Sequence, residues 1–379
     1  MQTLSDGSLR ERFMLHAVEL AEQAKGLTAP NPCVGALLTS GERILASGLH
    51  TAFGRPHAEV EAIEEARRLG VDTRRASLWV TLEPCNHQGL TPPCTRSILE
   101  AGIRRVFVGT RDPNPEVRGG GAEFLRSRGV EVEVGIAERA CRDLIADFLL
   151  WRNQERPYVW LKLASTLDGK IAAVPGRPAR ITGAEAGREV HRLRARSDGV
   201  LIGGGTLRAD DPRLTCRFEP LLKGQPLAAV VTSRLPDPGE GFTLMRERAG
   251  ETVFLTGDAE ACSPRARSLQ SDGASVWGLP ARETGLDLHE GLRRLRQERG
   301  CFYLLCEGGG RTATGLMRQG LADELHLYLA PRILGDERSP SAFSGREVAD
   351  IREAWQWRFC RCDSFGNDMR LLLRPHGEP

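Results

Sequence analysis

The sequence reads as an α/β protein of two successive domains, and three observations point that way. Short apolar, β-branched runs alternate with helical periodicities along the chain, the mark of layered α/β architecture. A length of 379 residues is enough for two separate cores. The polar run Arg152-Asn153-Gln154-Glu155-Arg156-Pro157 interrupts the pattern. Domains are therefore expected at 1–150 and 157–379.

In the first domain, Leu9 to Lys25 reads as an amphipathic helix, with Val34 to Thr39 and Arg43 to Gly48 as paired strands. A helix is expected from His57 through Leu69, with Val60, Ile63 and several alanines on its apolar side. Ser77 to Leu82 is a short β-branched strand, and Pro92-Pro93 is expected to open a helix running to about Ala101. Arg104 to Gly109 and Val130 to Val134 complete the strands, and Ala137 to Leu150 reads as one helix. The result is a three-layer α/β domain.

The second domain repeats the alternation. Strands are expected at Tyr158 to Leu163, Gly199 to Ile202, Leu227 to Thr232, Thr252 to Leu255, Cys301 to Cys306 and Glu324 to Leu329. Helices are expected at about 184–195, 259–271, 287–298 and 311–319, and the long loop from Asp211 to Gln225 is expected to line a site. No repeat or low-complexity segment interrupts either domain.

Composition narrows the function. A net charge of +2 with interspersed charges gives no basic footprint for nucleic acid, so a small-molecule partner is expected. The N-terminal stretch has charged residues and no long apolar run, so no membrane span or signal peptide is expected and the cytoplasm is the default. Ten cysteines at irregular spacing argue for reduced thiols and metal ligation over a disulfide framework. Cys360 and Cys362 alone are too few for a metal site.

Chemistry concentrates in Pro56-His57-Ala58-Glu59, Thr81-Leu82-Glu83-Pro84-Cys85 and Pro92-Pro93-Cys94. One imidazole and two thiolates, from His57, Cys85 and Cys94, form a Zn²⁺ ligand set that keeps one tetrahedral position open for water. The pattern matches the zinc deaminase signature H-x-E…P-C-x-x-C, except that Cys85 and Cys94 are nine apart. Glu59 is the expected proton carrier, taking a proton from water and giving one to departing ammonia. Cys94, at a helix start, should have its thiolate favoured by the helix dipole. The competing interpretation makes the cysteines buried small hydrophobes or a structural knuckle and His57 a helix cap. His87 is either a substrate contact or an exposed loop residue.

The second domain carries Gly203-Gly204-Gly205-Thr206 and Gly308-Gly309-Gly310, each after a strand. Such glycines admit a phosphate to backbone N–H groups, or simply make tight turns; neither has Rossmann spacing.

These motifs, with Pro30-Asn31-Pro32, Val34-Gly35, Thr91 to Cys94, Asp112-Pro113-Asn114-Pro115, Leu167-Asp168-Gly169, Asp210-Asp211-Pro212 and Glu307-Gly308-Gly309, make nearly the whole chain resemble the RibD family of bifunctional riboflavin-biosynthesis deaminase/reductases. The resemblance implies a cytidine-deaminase-like α/β/α domain followed by a dihydrofolate-reductase-like domain, with Zn²⁺ and NADPH as cofactors and a homo-oligomeric assembly. It implies deamination of a diaminopyrimidinone ribosylamine phosphate, then reduction of its ribose to a ribityl chain. Asn31 and His50 would meet the pyrimidine. Ala164, Thr206, Asp210 and Gly309 would contact NADPH, with the Gly308 to Gly315 segment holding cofactor phosphate. Ser233 and Arg234 would select its 2′-phosphate, or form a plain surface turn. Arg194, Leu214, Arg217 and Glu307 would contact substrate, the arginines suiting a phosphate because a guanidinium grips two oxygens at once.

Two departures from the family stand out. Leu90 occupies a position that is usually basic, for which Arg55 is a candidate replacement, and Pro178-Ala179-Arg180 stands where Ser-x-Trp is common. The departures motivate an alternative in which residues 157–379 are a noncatalytic oligomerisation scaffold. A nucleic-acid base deaminase is disfavoured by 6% aromatics and balanced charge.

Overall fold

The computed structural model describes residues 6–89, 92–114, 120–177, 179–221, 223–283 and 285–377. Internal contacts divide the chain into two compact units that meet in sequence between Asn153 and Gln154.

The first unit runs α1 (Asp6–Glu22), β1 (Gly35–Ser40), β2 (Arg43–Leu49), α2 (Ala58–Arg68), β3 (Ser77–Leu82), α3 (Cys94–Glu100), β4 (Arg105–Thr110), α4 (Gly121–Ser127), β5 (Glu131–Val134), α5 (Glu138–Leu144) and α6 (Ala146–Asn153). Its five strands lie in the order β2-β1-β3-β4-β5. β1 pairs antiparallel with β2 and β3, while β3-β4 and β4-β5 are parallel. Strand periodicity sends alternate residues of β1 to opposite faces. Ala36 and Leu38 join Leu78, Val80, Ala62, Ile63 and Ile98 under α2 and α3. Leu37 joins Trp79, Phe13, Met14, Ala17 and Cys141 under α1 and α5. Three layers result, with β3 buried along its whole length.

The helix expected from 137 to 150 is instead two helices, broken at Ile145. Lys25 causes the break: its Nζ donates to the Leu144 carbonyl at 2.8 Å, capping α5, and pairs with the buried Asp147 carboxylate at 3.1 Å. Asp147 then accepts from its neighbour Phe148 N–H at 2.8 Å, a local bond that competes with helix continuation.

The second unit runs β6 (Tyr158–Thr166), α7 (Ala184–Arg196), β7 (Gly199–Gly203), α8 (Gly204–Asp210), β8 (Leu227–Val231), α9 (Thr243–Arg248), β9 (Thr252–Gly257), α10 (Asp258–Ala261), α11 (Pro264–Ser271), β10 (Ser275–Leu279), β11 (Ala281–Arg282), β12 (Gly285–Leu286), α12 (Leu288–Arg299), β13 (Tyr303–Cys306), α13 (Gly310–Arg318), β14 (Glu324–Ala330), β15 (Trp357–Phe365) and β16 (Asp368–Pro375). Nine strands form one sheet in the order β10-β9-β8-β7-β13-β6-β14-β16-β15, and β11-β12 form a separate small ribbon. Pairing is parallel from β10 across to β14, and the C-terminal β15-β16 hairpin adds on antiparallel. One face of the sheet buries Leu161, Leu163, Leu304, Cys306 and Leu325 against Leu292 and Leu295 of α12 and Leu316 of α13. On α7, Ala186 and Val190 cluster with Tyr328 of β14.

The helix expected at 259–271 is also divided. Ser263 accepts from Ala266 N–H at 3.2 Å and Pro264 follows, so α11 begins with its own cap and first-turn proline. Among the described residues no helix is long and apolar enough to cross a membrane.

Candidate active sites

The first site is assembled at two helix starts. His57 has extended backbone at the N-cap of α2, which directs its ring away from the helix it begins. The helix can lie this close to β2 because Gly48 has no side chain: a Cβ there would meet Ala58 O and Ala62 N at 2.4 Å. Cys85 stands three residues past β3, and Cys94 is the first residue of α3. Pro93 is the N-cap of α3, so the two prolines precede the helix and do not form its first turn.

These placements bring the three donors together. His57 Nδ1 lies 3.2 Å from Cys94 Sγ and 3.6 Å from Cys85 Sγ, and Cys94 N–H donates to Cys85 Sγ at 3.4 Å. All three donor atoms fall within 4.8 Å of one another. Tetrahedral Zn²⁺ bonds of about 2.0 Å to nitrogen and about 2.3 Å to sulfur would set N···S at about 3.5 Å, between the two observed separations, so the donor set fits zinc. Hydrogen bonding from Cys94, with help from His57, holds Cys85 down at about 4, while the same contact and burial push Cys94 up.

Glu59, in the first turn of α2, is 3% exposed and stands outside the ligand trio. Burial, followed by the Cys85 charge, pushes its carboxyl up to about 7, the range in which a carboxyl both takes and gives protons near neutrality. His50 Nδ1 lies 3.0 Å from the Pro56 carbonyl, which can only accept; the proton is therefore on Nδ1, and Nε2 accepts from Asn31 Nδ2 at 3.2 Å. Burial lowers the His50 pKa and keeps the ring neutral. A cavity of about 310 Å³ is lined by Asn31, His50, His57, Glu59 and Cys85, together with Arg55, His87, Asp112 and Arg152. Cys94 is buried behind it. Leu90, Thr91 and Pro115 lie outside the described residues.

The second site is a cleft of about 830 Å³ in the second unit, lined by Gly203 to Thr206, Asp210, Ser233, Gly309 and Gly310. The glycines divide into two kinds. A Cβ on Gly203 would meet Thr312 Oγ1 at 2.4 Å, and one on Gly204 would meet Thr232 Oγ1 at 2.3 Å; Gly308 and Gly310 are similarly crowded. These four make close packing possible. Gly205 has nothing within 4 Å and Gly309 only contacts of 3.7 Å or more, so these two leave room for a ligand. The α8 and α13 N-termini, capped by Gly203 and Gly309, present free N–H groups there. Burial raises the Asp210 pKa, while neighbouring Asp211 is committed to structure, accepting from Thr243 N and Oγ1 at 2.7 Å.

Not every expected cofactor contact is in this cleft. Ala164 is not among its lining residues and packs near Tyr328. Arg234 is absent from the lining, and its guanidinium pairs with Asp237 at 2.6 Å. Arg180 is exposed, outside the lining, with its carbonyl bonded by Arg332; Pro178 lies outside the described residues.

The expected substrate residues gather around α7. Arg194 clasps both carboxylate oxygens of Glu307 and donates to Thr215 O at 3.1 Å. Arg217 N–H donates to His191 Nδ1 at 3.3 Å, and its guanidinium reaches Thr215 Oγ1. Leu214 is 2% exposed, with a left-handed φ of 53° that is strained for leucine. Sequence reasoning passed over Lys162 and His191. Burial lowers the Lys162 pKa, with Glu307 opposing and Arg194 assisting, which places this lysine within the same charge cluster. The signal for Lys162 was a lone lysine in the apolar run of β6.

Comparison with known proteins finds a match for each unit. Residues 8–110 match the family described as cytidine and deoxycytidylate deaminase zinc-binding region, and residues 157–371 match the RibD C-terminal domain. The chain is 38% identical to the riboflavin biosynthesis protein RibD of Aquifex aeolicus over 96% of this chain and 98% of that one. It is 33% identical to the Escherichia coli protein of the same name over 96% and 98%. A solved structure of a diaminohydroxyphosphoribosylaminopyrimidine deaminase/5-amino-6-(5-phosphoribosylamino)uracil reductase from Thermotoga maritima is similar with TM-score 0.75 and 36% identity, covering 97% of this chain and 99% of that one. The chain belongs to the RibD family of riboflavin-biosynthesis deaminase/reductases.

Proposed function

We propose that this chain performs both reactions of its family, with the deaminase site in residues 1–150 and the reductase site in 157–379. The substrate is a diaminopyrimidinone ribosylamine phosphate, as the name of the Thermotoga maritima relative indicates. Water enters and ammonia leaves at the first site; the ribosyl group becomes ribityl at the second. The observation that carries the reading is the convergence of the His57, Cys85 and Cys94 donors within 4.8 Å, with a buried Glu59 that is not one of them.

Bound by those three donors, Zn²⁺ supplies the Lewis acidity that acidifies a water molecule. Glu59 accepts the proton of the attacking water and returns it to the departing ammonia. Asn31 and the neutral His50 hold the pyrimidine ring through hydrogen bonds. In the second unit NADPH supplies the hydride. Thr206, Asp210, Ser233 and Gly309 would hold the cofactor, and Arg194, Leu214, Arg217 and Glu307 would form the substrate side. The fit of NADPH rests on the two open glycines and the helix N-termini beside them.

Glu59→Gln tests the deaminase assignment. Ammonia release should fall by at least about 10²-fold while zinc content stays at one per chain, because the residue moves protons and holds no metal. Substantial turnover in that variant would overturn the assignment. We further propose a cytoplasmic homo-oligomer, dimer or tetramer, which sedimentation measures; ten cysteines at irregular spacing in a long chain support a reducing compartment.

A further inference from the structure

The deaminase reading leaves one charge of the substrate without a partner. A phosphate dianion needs cations, and none of His57, Glu59, Asn31 and His50 is a permanent one. Among the described residues that line the first cavity, only Arg55 and Arg152 are permanently positive. Several arginines elsewhere in this unit are engaged with carboxylates, among them Arg10 with Glu133, Arg96 with Glu100, and Arg111 and Arg126 with Glu123. Arg55 and Arg152 line the cavity, and neither guanidinium has a hydrogen bond or ion pair among the described residues.

Both are held where they can act. Arg55 is two residues from the ligand His57, in a turn closed by its own N–H to the Ala52 carbonyl at 3.1 Å. Arg152, in the last turn of α6, has its guanidinium 5.9 Å from the ring centre of Phe148, which lines the same cavity. The neighbouring carboxylates are occupied by backbone donors. Glu83 accepts from Ala122 N at 3.0 Å and Asp112 N at 3.3 Å, and Asp112 accepts from Asn114 N at 2.8 Å. Asp112 interacts electrostatically with Arg152 but forms no ion pair with it, so both guanidinium groups keep their donors open, and each is of the kind that matches phosphate oxygens two at a time.

We propose that Arg55 and Arg152 form the phosphate subsite of the deaminase cavity and set its preference for a phosphorylated ribosylamine. The proposal rests on the deaminase reading above. Its test compares ammonia release from the ribosylamine phosphate and from its dephosphorylated counterpart in the zinc-loaded wild type, Arg55→Gln, Arg152→Gln and the double variant. The ratio of the two kcat/KM values should fall about 10-fold in each single variant and about 100-fold in the double, mostly through KM. Lys at either position should restore part of the ratio, which a merely structural role would not produce. An unchanged ratio in a folded, zinc-containing double variant overturns the subsite alone. A wild type that deaminates neither compound overturns the deaminase reading, and the subsite with it.

Discussion

Arg194 and Glu307 meet in a two-point ion pair across 113 residues of sequence, with Nε 2.6 Å from Oε1 and Nη2 2.9 Å from Oε2. Their side chains are only 13% and 11% exposed. Burial alone would raise the Glu307 pKa, but the Arg194 charge outweighs it and holds the carboxyl below its usual range. Arg194→Ala should destabilise the protein by about 3 kcal/mol, because a buried carboxylate loses its counter-charge. Adding Glu307→Gln should recover much of that loss. Denaturant unfolding of the single and double variants checks this; equal destabilisation in both would contradict it.

His191 is nearly buried, and burial, then the Arg194 and Arg217 charges, lower its pKa to about 4. Its Nδ1 accepts from Arg217 N–H, which requires the ring to be unprotonated there. A folded histidine that binds its proton less tightly than an unfolded one contributes fully above pH 6.5 and loses that contribution as pH falls toward 4. Thermal stability should therefore decline across that window. His191→Gln, which keeps an acceptor, should decline less steeply; an identical slope would refute the assignment.

Cys94, the third of the candidate zinc donors, is buried and does not line the cavity. Cys94→Ser should lower zinc content well below one per chain, by the 10-fold or greater loss of affinity expected when a thiolate is replaced by a hydroxyl. Metal analysis after gel filtration measures it. NADPH binding should be unchanged in the same variant, since the candidate cofactor cleft lies in the other unit.

Asp210 lines the cleft with its carboxyl unengaged by Thr243, whereas Asp211 accepts from Thr243. Asp210→Ala should raise the Kd for NADPH about 10-fold or more, the loss typical of a hydrogen bond to a charged group. Fluorescence titration follows it. Ammonia release should not change.

The candidate zinc site was legible because its residues carry their own placement: a strand end for Cys85, helix starts for His57 and Cys94, and chemistry that tolerates few substitutes. Interior strands were legible for the same local reason, being short apolar runs. What escaped depends on distant partners. Lys25 breaks the helix expected at 137–150 from well over a hundred residues away. The β15-β16 hairpin was missed because β15 is an edge strand carrying Arg358, Arg361 and Asp363, and its exposed face lacks the apolar run that marks an interior strand. Glycine motifs announced the cofactor cleft but not which glycines face it, since crowding against Thr312 and Thr232 appears only in the folded chain.

The most direct measurement follows ammonia release and NADPH oxidation together, on zinc-loaded protein supplied with the diaminopyrimidinone ribosylamine phosphate. Ammonia should appear first and NADPH oxidation after it, in equal final amounts. Ammonia with NADPH untouched would contradict the reductase half of the account, and neither signal would contradict the substrate itself.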